Sequence, residues 1–200
     1  MKLYLEHSYR SYQSHQSHNI HIVKLETKLS SQIITSSARL LLRTMDDNDA
    51  AFYLRLVNEP SFIQNIRDKG IRTLDDAKQA IQTGHQEVQE KMGFSLYLVE
   101  RKADGQAIGL CGLVKRPELD NIDIGYAYLP EFAGQGYAFE AGRAIIELAK
   151  NTLKLDKLVA ITSLHNIASE NLLLKMGFQI NAVLPWNDGK EVKYYTLAFN

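Results

Sequence analysis

The sequence predicts an α/β protein built on one mixed sheet. Two observations carry this. Three strand-like segments follow one another between residues 94 and 129, joined by turn residues. A glycine-rich turn then leads from the third of them into a helix-like run, and a further strand, a helix and a hairpin follow. Meandering strands succeeded by one strand–helix–strand crossover indicate a mixed sheet, not a doubly wound nucleotide fold.

The elements justify themselves in order. Arg39-Leu-Leu-Leu-Arg43 reads as a short strand. Asp46, Asp47 or Asn48 is positioned to cap a helix running to about Val57, with Pro60 ending it. Thr73-Leu-Asp-Asp76 resembles a capping box with Asp in place of Glu, and opens a helix to about Met92 that Gly93 stops. Gly84 is a mild defect inside it. Phe94 to Glu100 alternates, Asp104-Gly105 is a hairpin signal, and Gln106 to Lys115 follows. Asn121 to Leu129 is the third strand. Ala138, Ala141, Ile145, Leu148 and Ala149 lie on one face of the helix that follows, which runs to Leu153. Lys157 to Ile161 is a β-branched strand. Asn166 to Met176 is a helix with Asn166 as its cap and Gly177 as its stop. Phe178 to Leu184 and Val192 to Phe199 pair across Asn187-Asp188-Gly189.

Residues 1–37 differ: they are rich in Ser, Gln, Tyr and His, and read as a polar, partly disordered extension before a domain over 38–200. His7, His15, His18 and His21 are either a metal site or part of that polar tail; the i, i+3 spacing of the last three aligns them only on a helix, for which Ser and Asn are poor interior residues. The formal net charge is zero, so nothing in the totals asks for nucleic acid or an anionic membrane. The single cysteine, Cys111, excludes an intrachain disulfide and a thiolate metal cluster and fits a reducing, cytoplasmic location. No apolar run reaches membrane-spanning length, and the first residues lack the apolar stretch of a secretory signal.

The chemistry concentrates at Gly134-Gln-Gly-Tyr-Ala-Phe-Glu140. A glycine turn between strand and helix presents several backbone N–H groups to one point, and the helix dipole adds positive charge there. An NTP-binding lysine and Ser/Thr are missing after Gly136, and the dinucleotide spacing of three glycines is absent. On residues alone the turn is either an anion cradle or a helix opening with glycines for close packing.

The stretch Pro130 to Ala141 resembles the pyrophosphate loop of the GNAT superfamily of N-acetyltransferases, in particular the branch of ribosomal-protein N-terminal (alanine/serine) acetyltransferases. Three further segments match in order: Arg39 to Arg43; Ile108-Gly109, Gly112-Leu113 and Ile124-Gly125-Tyr126; and Asn166 to Ser169 with Lys175 to Phe178. Together they span residues 38–199. The resemblance implies a mixed, mostly antiparallel central sheet of about seven strands flanked by about four helices. Two departures stand out. Ala133 replaces the usual aromatic, and Phe139 replaces a hydroxyl residue that caps the helix or touches phosphate.

The resemblance implies acetyl-CoA as cosubstrate, no metal, and a primary amine as acceptor, attacking the thioester directly. It implies cofactor contacts from Gly134, Gln135, Gly136, Tyr137, Ala138 and Phe139, a backbone donor at Tyr128 or Leu129 for the thioester oxygen, and a contact to the pantetheine or thioester region from Asn166, which can serve as a plain N-cap as well. Asp123 is the first candidate for the general base and Glu100 the second. The tyrosine that many members use to protonate the thiolate is Leu173 here, so Ser169 is the candidate donor, with Tyr126 or Tyr128 as substitutes. Cys111 sits in an apolar strand and reads as structural. His165 is a base or cofactor contact, or neither. Residues 58–72 and 185–191 are expected to shape acceptor specificity. The acceptor implied by the closest branch is a protein N-terminal α-amine; its pKa of ~8, against ~10.4 for lysine, asks less of a base. A small amine, polyamine or antibiotic acceptor, and a CoA-binding module without turnover, are the alternatives. The expected assembly is a monomer or homodimer.

Overall fold

The computed structural model describes residues 31–187 and 189–199. Eight strands form one sheet: β1 (Ile33–Ser36), β2 (Leu40–Arg43), β3 (Leu96–Arg101), β4 (Gln106–Val114), β5 (Asp123–Tyr128), β6 (Lys157–Ser163), β7 (Gln179–Pro185) and β8 (Glu191–Ala198). Their order is β1-β2-β3-β4-β5-β6-β8-β7. Every neighbouring pair is antiparallel except β5–β6. The sheet is mixed and mostly antiparallel, as expected, with one strand more than the seven.

The additional strand is β1. It falls inside the segment read as a polar extension, yet pairs with β2 through Thr35 and Ser36. Four residues with an exposed isoleucine at one end give little period-2 signal. The histidines at 7, 15, 18 and 21 lie outside the described residues.

Helices α1 (Ala50–Val57), α2 (Pro60–Asn65), α3 (Leu74–Ile81) and α4 (Glu87–Met92) fill the chain between β2 and β3. Asp46 caps the short 3₁₀ turn before α1 by accepting from Asn48 N–H. Pro60 does more than end a helix; it occupies the first position of α2, where its missing N–H costs nothing. The Thr73–Asp76 capping box forms in both directions, and Gly93 closes α4 at φ +75°. Between α3 and α4 the helix widens into a π turn over Gln82–Gln86, centred on Gly84.

Helices α5 (Tyr137–Glu147) and α6 (Ile167–Met176) follow β5 and β6. Ala141, Ile145, Ile146 and Ala149 are buried against the sheet together with Leu158, Ala160, Leu173 and Met176. At about 25 cal/mol per Å² of apolar surface, the larger of these side chains, Ile145, Ile146, Leu158, Leu173 and Met176, contribute roughly 1.5–3 kcal/mol each and hold both helix N-termini at the same end of the sheet.

Candidate active site

β5 and β6 pair at a single point. Asp123 lies opposite Val159, and Val159 N–H donates to Ile122 O at 3.0 Å. Beyond that point no further register partners link the two strands, so a seam opens toward their C-terminal ends. β5 stays paired with β4 along its length, from Asp123↔Val114 to Tyr128↔Gly109. Leu129 N–H donates to Ile108 O at 3.0 Å. This corrects one expectation: Leu129 has no free N–H for a thioester oxygen. Successive residues of an antiparallel strand turn their N–H groups to alternate sides. Tyr126 and Tyr128 therefore turn theirs toward the seam, so of the two residues expected to offer an N–H only Tyr128 has one facing it. The Tyr128 ring fills the space where Gly109 lacks a side chain; a Cβ there would meet it at 2.4 Å.

The two helices that flank the open end begin differently. α6 is capped: Asn166 Oδ1 accepts from Ser169 N–H at 3.1 Å. Asn166 thus caps α6, a role compatible with a ligand contact from the same residue. α5 is not capped. Its N-cap is Gly136 at φ +81°, with no side-chain hydrogen bond. The first backbone bond into the helix is Glu140 N–H to Gly136 O at 3.0 Å. The N–H groups of Tyr137, Ala138 and Phe139 are the orphans that every helix start leaves. Gly134, at φ +73°, and Gly136 fold the turn so that these donors face out together. Phe139 supplies no hydroxyl to compete; its ring lies under Lys175 Nζ at 4.8 Å.

Sequence reading missed what holds this loop. Arg39 donates through Nη1 to Gln135 O at 3.1 Å and through Nε to Glu140 at 2.6 Å, and its guanidinium stacks 4.4 Å from the Tyr137 ring centroid. Ser37 Oγ and Arg39 N–H also donate to Glu140. Burial would raise the Glu140 carboxyl, but these donors hold it below its usual range. Gln135 Nε2 donates back to Glu131 O at 2.9 Å. The partners are about a hundred residues apart in sequence, so no local pattern signals them.

Ser169 and Tyr126 are brought together. Tyr126 Oη lies 2.8 Å from Ser169 Oγ, and burial pushes the phenol above its ordinary pKa. A hydroxyl thus reaches the seam from the strand, while Leu173, at the family's tyrosine position, is buried in the core. Cys111 is fully buried beside Tyr128, and burial lifts its thiol to about 12, which leaves no thiolate for acyl transfer. Exposed His165 precedes the cap. Glu100 is tied to Arg43 at 3.1 Å on β3, two strands from β5, and is not assembled with the seam.

Asp123 is 1% exposed at the closed end of the seam. Its Oδ2 accepts from Arg116 Nε at 2.6 Å, while Oδ1 is buried without a hydrogen bond. Burial raises its pKa to about 6; the Arg116 charge and hydrogen bond oppose the rise, with a small pull from the Ile161 backbone. Asp123 and Tyr126 are three residues apart on an unbroken ladder, so they point to opposite faces of the sheet. The carboxylate and the Tyr126–Ser169 hydroxyls therefore reach the seam from opposite sides.

Fold and sequence together define the class. Residues 39–179 match the acetyltransferase (GNAT) domain, and the chain belongs to the GNAT family of N-acetyltransferases. It is 30% identical over 152 residues to the uncharacterized N-acetyltransferase YoaA of Bacillus subtilis (strain 168), covering 76% of this chain and 85% of that protein. Among solved structures, RimL, a ribosomal-protein alpha-N-acetyltransferase in complex with coenzyme A, shares the fold at a TM-score of 0.72 and 19% identity, covering 84% of this chain and 98% of that one. A spermidine N-acetyltransferase chimera from Vibrio cholerae and hSSAT does so at 0.66 and 18%, covering 80% and 96%. Among the described residues no helix is long and apolar enough to cross a membrane.

Proposed function

We propose that this N-acetyltransferase takes its acetyl group from acetyl-CoA and passes it to a primary amine by direct attack, with a protein N-terminal α-amine as the acceptor. The observation that carries the proposal is the uncapped start of α5 beside an open parallel seam. Three backbone donors and a bare αL glycine suit a pyrophosphate, whose charge the helix dipole favours. RimL, which shares the fold, was solved with coenzyme A.

Acetyl-CoA supplies an activated thioester. The remaining work falls to residues of this chain. Gln135 to Phe139 hold the pyrophosphate through backbone N–H groups, with Gly134 shaping the turn. The Tyr128 N–H, turned toward the seam, serves as the oxyanion donor. Asp123 lies five residues before Tyr128 on β5, roughly 16 Å at about 3.3 Å per residue, so it takes up the proton that the amine must lose through water and not by direct contact; a pKa of about 6 leaves it mostly ionised at neutral pH and still basic enough for a proton from an α-ammonium of pKa ~8. As the C–N bond forms and the C–S bond breaks, the Ser169–Tyr126 pair returns a proton to the thiolate. Base and acid stand on opposite faces, so the amine enters from the Asp123 face and the thiol leaves toward α6.

The test is release of free thiol from acetyl-CoA across matched acceptors: N-terminal peptides, spermidine and small amines. Turnover of peptides with loss in Asp123→Asn supports the reading. Turnover of spermidine alone would replace the acceptor, and thiol release with none of them would remove the transfer reaction.

A further inference from the structure

A cavity of about 460 Å³ opens beside the π turn and is lined by Tyr53, Arg67, Lys69, Gly84 and His85 among others. A π turn is a poor use of helix hydrogen bonds and recurs at functional sites. Here it buries His85 and sets Gly84 at the wall, where a Cβ would meet nothing within 4 Å. Lys69 Nζ donates to Tyr53 Oη at 3.2 Å, and Tyr53 Oη lies 3.1 Å from His85 Nε2. An ammonium only donates, so the phenol is free to pass its own proton on to the imidazole, which burial holds neutral with a pKa of about 3. The chain Lys69–Tyr53–His85 thereby fixes one N–H of the ammonium and leaves two.

The charge around this cavity is not balanced. Lys69 makes no ion pair among the described residues, and Arg67 makes neither an ion pair nor a hydrogen bond there. Asp68, the acidic residue in the wall, is already held by Arg72 at 2.6 Å and by Gly70 N–H at 2.8 Å. Burial, then the charges of Arg67 and Arg116, push the Lys69 pKa down. Arg116 is the residue that binds Asp123. Lys69 is thus within electrostatic reach of the cation that holds the candidate base, and the cavity wall carries two cations that lack a carboxylate.

We propose that Lys69 and Arg67 bind a carboxylate carried by the acceptor itself, close to its amine, so that this enzyme prefers acidic acceptors over neutral or cationic ones. The proposal rests on the acetyl-transfer reading and names its substrate class. The carboxylate has two sources, an acidic side chain next to a peptide N-terminus or a small amino acid.

The test is calorimetric titration of the full chain, with and without saturating CoA. The probes are Ala-Asp-Phe-amide, Ala-Asn-Phe-amide and Ala-Lys-Phe-amide, with β-alanine and β-alaninamide as the small-molecule arm. The expected result is roughly tenfold tighter binding of an acidic probe than of its amide, as a charge-assisted hydrogen bond gives. The peptide or the small-molecule arm showing the preference identifies the source. Lys69→Gln and Arg67→Gln should abolish the preference, while Lys78→Gln, an exposed charge on α3, keeps it. Equal binding of acidic and neutral probes, tighter binding of the lysine peptide, or no binding of any probe overturns the proposal. The titration needs no turnover. Loss of CoA binding alone would instead count against the acetyl-transfer reading, and the CoA-free arm would still report on the cavity.

Discussion

The closed and open ends of the β5–β6 seam handle charge in opposite ways. At the closed end Asp123 is buried, and the protein supplies its own counter-ion in Arg116, 2.6 Å away. At the open end no side chain caps the first N–H groups of α5, and Glu140, the acid of its first turn, is taken up by Ser37 and Arg39. The neighbouring helix shows that this is not forced by position, since α6 starts at the same end of the sheet and is finished by Asn166. An end that answers its own charge is suited to hold a proton; an end that does not is suited to hold a ligand.

The largest effect should come from the closed end. Asp123→Asn is expected to lower kcat by roughly 10²–10⁴-fold while leaving acetyl-CoA affinity intact. Steady-state kinetics beside a binding titration would check it, and retained turnover would remove Asp123 as base. The pH profile sharpens the same point. With a base raised to about 6, kcat/KM should climb as pH rises through about 6. Arg116→Gln removes the opposing charge, so the limb should move to higher pH. The stability linkage has the reverse sign. A carboxyl raised in the fold stabilises it when protonated; that contribution is full below its ordinary value of ~3.9 and is lost as pH rises through about 6. Asp123→Asn should therefore unfold with less pH dependence across this window, measurable by denaturant midpoints.

Between the two ends, Ser169→Ala should slow turnover by about tenfold, a partial loss because Tyr126 still presents its hydroxyl. The double variant with Tyr126→Phe separates a shared proton role from packing: a further drop in kcat with binding unchanged supports the pair, and rates equal to native contradict it. The smallest effect belongs to the finished helix. Asn166→Ala should cost about 1 kcal/mol of stability, as loss of an N-cap does, with little change in acetyl-CoA affinity. A large loss of affinity would mean that Asn166 also touches the ligand.

Much of this was legible because it is local. Asn166 three residues before Ser169, the Thr73–Asp76 box, and the glycines at 93, 134, 136 and 177 announce helix ends by residue chemistry alone. The glycine loop and the family resemblance point to residues 134–139 as a phosphate loop, but nothing local marks the seam between β5 and β6. What stayed hidden is long-range. Arg39 clamps a loop about a hundred residues away. The insertion of β8 between β6 and β7 follows from sheet pairing, with no mark in the hairpin itself. Nothing in the local sequence marks that the Leu129 N–H is taken up by Ile108 O. The Lys69–Tyr53–His85 chain links residues 16 and 32 positions apart and depends on a π turn that Gly84 signalled only as a defect.

The central claim is that the unfinished start of α5 holds acetyl-CoA. It is tested most directly by calorimetric titration of the native chain and a folded Gly136→Trp variant with acetyl-CoA. An indole at position 136 would project beside the orphan N–H groups, near Arg39 Nη2, which lies 3.4 Å from where the Cβ would sit. The account predicts saturable binding by the native protein and its loss in the variant. No binding by the native protein, or equal binding by both, would contradict it and return Gly134 to Phe139 to a packing role.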